Sequence, residues 1–206
     1  MIQDAHPTNS PYVVAFNGPP RVGKDTIATE LANLIDTYWD ISVHTLSFAT
    51  PMREAAMNLF GVQTYKEYNE KKDIPHPILG TTLRQFMISL SEKHMKPTMG
   101  KDIWGRILHS QASGWWGKLP AIVLLTDLGF EEESKYIESQ VEPGHYWIAQ
   151  LERLDTNWDG DSRGYVTPAQ PHSWIGRFNN DGPPSETAWQ IFRALVERSQ
   201  WPFPSF

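Results

Sequence analysis

Lys24, Asp25 and Thr26 directly follow Gly18-Pro19-Pro20-Arg21-Val22-Gly23, an order of residue types suited to holding a polyphosphate. The glycines allow a tight turn, and the amides from about Arg21 onward can form a nest around a phosphate, backed by the positive end of a following helix. Lys24 reaches the outer phosphates as a point charge. Asp25 stands where a Ser or Thr more commonly offers a hydroxyl to Mg²⁺. Its carboxylate and the Thr26 hydroxyl are hard oxygen donors that can hold Mg²⁺ directly or through water. Pro19 and Pro20 have no N–H to donate, but they sit early in the loop. The loop therefore predicts binding of a nucleoside triphosphate through Gly18, Arg21, Val22, Gly23, Lys24, Asp25 and Thr26. A chance Gly-rich turn before a lysine is the competing explanation, and the strand and helix patterns flanking the loop argue against it.

A bound triphosphate invites phosphoryl transfer, which asks the protein for positive charge, in-line geometry and exclusion of water. Asp127 ends an apolar run and orders Mg²⁺ waters, or contacts an acceptor, or caps the helix that follows. Arg84 lies in the first turn of a helix, off its apolar stripe, and suits a bidentate grip on an acceptor phosphate; a solvated surface arginine is the alternative. Arg53 has a weaker claim of the same kind, and Phe48, at the end of a strand, joins the acceptor-side candidates. Arg153 and Arg163 lie in or beside a polar segment suited to closing over the reaction, with Arg163 the stronger. Trp104 either stacks on an acceptor base or packs internally. Gly100-Lys101-Asp102 echoes the first loop without its upstream glycine or strand and is a decoy. The seven histidines show no metal-ligand spacing.

These residues need a scaffold, and the apolar runs supply one. Tyr12–Phe16, Val43–Phe48, Ala121–Thr126, His145–Leu151 and Ser173–Phe178 predict strands, with helical patterns between them, including Thr26–Tyr38, Glu131–Ser139 and Glu186–Ser199. The pattern predicts an α/β fold, a parallel sheet covered on both faces. The 206 residues predict one domain, with a core of 11–50, 118–152 and 172–200. A helical insertion over 51–117 contains a helix capped at Thr81, another from about Asp102, and a charged, proline-broken loop from Tyr65 to Pro77. A Gly/Asp/Asn-rich stretch, 153–171, could act as a lid. The chain has no cysteine, which excludes disulfides and thiol catalysis, and its net charge of -6 argues against a general nucleic-acid binder. No signal peptide or membrane span is apparent, so a cytoplasmic location is expected. The aromatic tail Trp201–Phe206 makes a homodimer plausible.

Together these residues resemble the bacteriophage deoxynucleoside monophosphate kinases, a branch of the P-loop nucleoside monophosphate kinases. The resemblance is carried by Gly23-Lys24-Asp25-Thr26, Thr82-Leu83-Arg84, Gly100-Lys101-Asp102-Ile103-Trp104, Asp161-Ser162-Arg163-Gly164-Tyr165 and Asn180-Asp181-Gly182, and it spans about Val13 to Leu195. It implies a P-loop NTPase fold with a five-stranded parallel sheet, an acceptor-binding insertion and a lid. It implies Mg²⁺-dependent transfer from ATP to a deoxynucleoside 5′-monophosphate, in the host cytoplasm if the chain is phage-encoded. Arg84 would orient the acceptor, Arg163 would meet the donor phosphates, and Asn180 and Gly182 would lie near the donor adenine. Where the family commonly reads Asp-x-Arg-Phe, this chain has Asp127-Leu128-Gly129-Phe130, so an expected arginine is missing. A P-loop kinase for another small acceptor, such as dephospho-coenzyme A or a phosphorylated metabolite, remains open at this point. So does a regulatory module that binds ATP without turnover.

Overall fold

A computed structural model describes residues 10–117 and 121–198. In chain order the elements are β1 (Tyr12–Asn17), α1 (Lys24–Tyr38), β2 (Ser42–Leu46), α2 (Thr50–Leu59), α3 (Tyr65–Lys71), α4 (Leu83–Ser89), a π-helical stretch (Leu90–Met95), α5 (Lys96–Met99), α6 (Ile103–Ala112), β3 (Ala121–Leu128), α7 (Glu131–Glu138), β4 (Tyr146–Glu152), β5 (Trp174–Asn179) and α8 (Pro184–Arg198). They form two compact units. One contains residues up to Ser47 and from Gly105 onward; the other is Phe48–Trp104. The aromatic tail and the start of the chain lie outside the described residues.

The larger unit is built on a five-stranded sheet of order β2-β3-β1-β4-β5 with every neighbouring pair parallel. That is the α/β P-loop fold expected from the sequence. The central strands are nearly continuous apolar runs because helices cover both of their faces. Helix α1 places Ile27, Ala28, Leu31 and Ile35 on one buried stripe. This stripe packs in one core with Val14, Phe16, Leu124 and Leu151 of the sheet and Ala188, Ile191, Phe192 and Leu195 of α8. Each fully buried aliphatic side chain there contributes about 1.5–3 kcal/mol of burial. The core thus fixes the strand ends and the start of α1, between which the phosphate loop is strung.

The register of β1 on β3 slips once. From Ala15 to Asn17, β1 advances by two residues while its partner advances by three, from Leu125 to Leu128. The extra residue is a bulge in β3 at Thr126–Asp127, and bulges re-aim side chains next to sites. Asp127 is therefore inside the strand. The helix-capping alternative fails, because the cap residue of α7 is Phe130.

The smaller unit has its own core of Ala56, Met57, Val62, Tyr68 and Leu83, joined by Phe60, Phe86 and Met87. Two expectations are corrected here. The charged stretch from Tyr65 to Pro77 is a loop only in its second half, because 65–71 form α3: Thr64 caps it by accepting from the Glu67 amide, and Tyr68 buries its ring. Helix α4 is capped by Thr82 instead of Thr81. Thr82 accepts from the Gln85 amide while the Gln85 side chain accepts from the Thr82 amide, a complete capping box.

Candidate functional site

The phosphate loop is held from three sides. Gly18 lies so close to β4 that a Cβ there would come within 2.7 Å of the Leu151 carbonyl oxygen. Val22 is fully buried and anchors the middle of the loop in the core. Gly23 has φ of 101°, a left-handed conformation that strains any side-chain-bearing residue. Arg21, exposed, adopts φ of 66°. Gly23 offers α1 no side-chain cap, so the first amides of the helix are left to a ligand.

Asn180 closes the back of the loop. Its side-chain amide donates to the Val22 carbonyl at 2.7 Å, and its Oδ1 accepts from the Thr187 hydroxyl at 3.1 Å. Its backbone amide donates to the Glu152 carbonyl at 2.8 Å. Asn180 is 2 % exposed, so it braces the loop from within and does not present its amide to a base. Gly182 lies two residues further on, near the Glu186 carboxylate of α8.

Lys24 folds over the loop and donates to the carbonyls of Gly18 at 2.6 Å and Pro19 at 2.9 Å. Burial, reinforced by the Arg163 guanidinium, lowers its pKa to about 8, against opposing attraction from Asp127, Asp25 and Asp161. Asp127 accepts from the Ser47 hydroxyl at 2.8 Å, which fixes the carboxylate re-aimed by the bulge. Asp25 and Thr26 are exposed in the first turn of α1. No cluster of three or more His, Cys, Asp or Glu side chains among the described residues could cage a metal. The oxygen donors present fit a magnesium ion that arrives with phosphates and keeps part of its water shell.

Arg163 is oriented by Asp161, which accepts from its Nε at 2.9 Å, its Nη2 at 2.7 Å and its backbone amide at 3.0 Å. This pairing raises the arginine's already high pKa and lowers that of Asp161. The residues after Arg163 are fastened to the sheet. Asn17, fully buried at the end of β1, donates to the Leu128 and Gly164 carbonyls and accepts from the Val166 amide. Gln150 donates to the Val166 carbonyl, and the Glu138 carboxylate accepts from the Ala169 and Gln170 amides. The stretch expected to act as a lid thus has its second half docked on the unit that carries the loop. Arg153 lies in its exposed first half.

In the smaller unit Arg53 and Arg84 differ sharply. Arg84 pairs with Asp73 through Nε and Nη2, and both side chains are more than half exposed. The Arg53 guanidinium lies 5.6 Å and 5.5 Å from the Tyr65 and Tyr68 ring centroids, and its Nε is buried without a hydrogen-bond partner. The two tyrosine faces hold the guanidinium by cation–π contact. Phe48 and Trp104 are both buried. The Trp104 indole donates to the Ser91 hydroxyl at 2.9 Å, so it braces the π-helical turn and its ring is not presented to a base.

Loop, Lys24, Asp127 and Arg163 thus come together in the larger unit, while Arg53 and Arg84 belong to the smaller one. Asn17 and Ser47 escaped the sequence reading. A buried polar residue ending an apolar strand is the only trace Asn17 leaves in sequence.

No family model matches the chain, and no curated protein sequence matches it. Among solved structures it is similar to a gluconokinase from Sinorhizobium meliloti 1021, at 9% identity over 92% of this chain and 98% of that one, with a TM-score of 0.43. It is also similar to a plasmid partition protein from Borrelia burgdorferi, at 15% identity over 89% and 86% with a TM-score of 0.41. A thymidylate kinase from Candida albicans matches at 12% identity over 91% and 92%, with a TM-score of 0.42.

Proposed function

We propose that the chain is a phosphotransferase that moves the γ-phosphoryl of ATP to a deoxynucleoside 5′-monophosphate, giving the diphosphate. The observation that carries the reading is the meeting of Lys24, Arg163 and Asp127 at a braced phosphate loop, where Lys24 is depressed by burial and a neighbouring cation. Lys24 and Arg163 stand at one loop, Arg163 fixed by Asp161 and Lys24 resting on backbone carbonyls that phosphate oxygens can replace. The Arg53 guanidinium, set over the Tyr65 and Tyr68 rings of the smaller unit, is a cation suited to a second anionic group, the acceptor phosphate. The motifs that resemble the deoxynucleoside monophosphate kinases support that acceptor class.

In this reading the loop amides and Lys24 hold the β- and γ-phosphates, Lys24 exchanging its bonds to Gly18 and Pro19 for phosphate oxygens. Asp25 and Thr26 would hold magnesium, with Asp127 beside them; the ion would neutralise charge on the phosphates. Arg163 steadies the transferring group. Arg53, with Arg84 beside Asp73, orients the acceptor. The acceptor phosphate is already an anionic nucleophile, so no strong general base is required. A coupled assay of ADP release with each deoxynucleoside monophosphate tests the reading. Turnover with at least one supports it, and release no faster than without acceptor, for all of them, would sink it.

A further inference from the structure

Gly129 occupies the position where the resembled kinases commonly carry an arginine, and the structure supplies a reason for the exchange. A Cβ on Gly129 would lie 2.5 Å from Cδ, 2.6 Å from Cγ and 2.7 Å from Cβ of Arg163. These distances are shorter than any tolerated carbon–carbon contact. Gly129 is not among the positive-φ glycines, so its backbone does not require a glycine; the arginine stem does. Rotation of Arg163 relieves two of the three contacts but not the third, because Cβ is fixed by the backbone. The backbone at 163–164 would have to withdraw, and it is tied in place. The Gly164 amide donates to the Gly129 carbonyl at 3.2 Å, and Asn17 bonds both Gly164 and Val166.

We propose that Gly129 is a positioning residue: its missing side chain forms the notch in which the Arg163 stem is seated, so that the guanidinium stands beside Lys24 before any substrate binds. The arginine is built into the site and is not delivered by closure of a lid. Its kinetic consequence rests on the phosphotransferase reading above; its geometric content does not.

The test is a pair of substitutions read in two ways. Crystal structures of the ligand-free wild type and of Gly129→Ala locate the Arg163 guanidinium directly. The added Cβ expels the arginine stem, so in the variant the guanidinium leaves the position it holds in the wild type. A guanidinium that keeps its wild-type position in a folded Gly129→Ala overturns the proposal. In the assay, Gly129→Ala lowers kcat by about ten- to a thousandfold, whereas adding it to Arg163→Gly, which lacks the clashing Cβ, changes kcat less than about threefold. Equal losses in both backgrounds overturn it. If Gly129→Ala alone does not fold, the double variant does; failure of both to fold also overturns it. A displaced Arg163 in a protein that phosphorylates no acceptor would leave Gly129 in its role and sink the phosphotransferase reading instead.

Discussion

The side-chain amide of Asn180 donates to the carbonyl of Val22 at 2.7 Å, and a Cβ on Gly23 would lie 2.6 Å from that same nitrogen. The loop that leaves β1 is thus shaped from behind by the turn that follows β5. Asn180→Ala leaves the Val22 carbonyl unsatisfied, a loss of about 1–3 kcal/mol. Asn180→Asp sets a carboxylate oxygen against that carbonyl and is the worse of the two. Both lower the melting temperature and weaken ATP binding, read by calorimetry, with the aspartate more severe. Equal affinities across the three proteins would dissociate Asn180 from the shape of the loop.

Lys24 gives a pH dependence with a definite sign. Its folded-state pKa of about 8 lies below the ordinary lysine value, so between the two the unfolded chain binds more protons. The ligand-free protein therefore gains stability from this group as pH rises above about 8. Triphosphate binding works in the opposite direction, because the phosphates favour the ammonium form. ATP affinity is insensitive to this group below about pH 8 and falls above it, by at most about tenfold per pH unit, with proton uptake on binding. Calorimetry in buffers of different ionisation enthalpy measures that uptake; none near pH 8.5 would contradict the assignment.

The two insertion arginines separate by partner. Arg53→Met raises the acceptor KM about tenfold or more while the ATP KM moves little, because the change removes a charge-assisted phosphate contact. Arg84→Met breaks an exposed pair with Asp73, which changes stability by less than about 1 kcal/mol, and it raises the acceptor KM less than Arg53→Met does. Initial-rate measurements against both substrates distinguish the two, and an Arg53 variant with wild-type acceptor KM would count against the assignment.

The buried Glu138 carboxylate holds the Ala169 and Gln170 amides. Glu138→Ala orphans both donors, lowers stability by about 1–3 kcal/mol or more, and speeds amide hydrogen exchange over 163–171. Exchange unchanged there would mean that the docking of this stretch does not depend on Glu138.

What could be foreseen from sequence follows the range of each signal. The five strands and α1 are local patterns of apolar spacing, and each appears within two residues of its expected limits. The loop is a contiguous motif in its required context. Helix α3 is hidden in sequence because its charges run on into Pro75 and Pro77, although Thr64 and Tyr68 give it a cap and an anchor. The Thr81/Thr82 choice turned on Gln85, whose side chain reaches back to the Thr82 amide. The pairing of Gly129 with Arg163 joins positions far apart in the chain. In sequence it shows only as a missing arginine, because what it supplies is empty space. Asn17 and Ser47 are similar, their roles set by strands that meet only in the folded sheet.

Transfer of a phosphoryl group to a deoxynucleoside monophosphate is the central claim, and ³¹P NMR of the reaction mixture observes it directly. With ATP, Mg²⁺ and the preferred deoxynucleoside monophosphate, the β-phosphate resonance of a new diphosphate grows in step with ADP. Lys24→Met, folded as the wild type, slows that growth by about a hundredfold or more. ATP consumed with inorganic phosphate as the only new product, for every deoxynucleoside monophosphate supplied, would contradict the account.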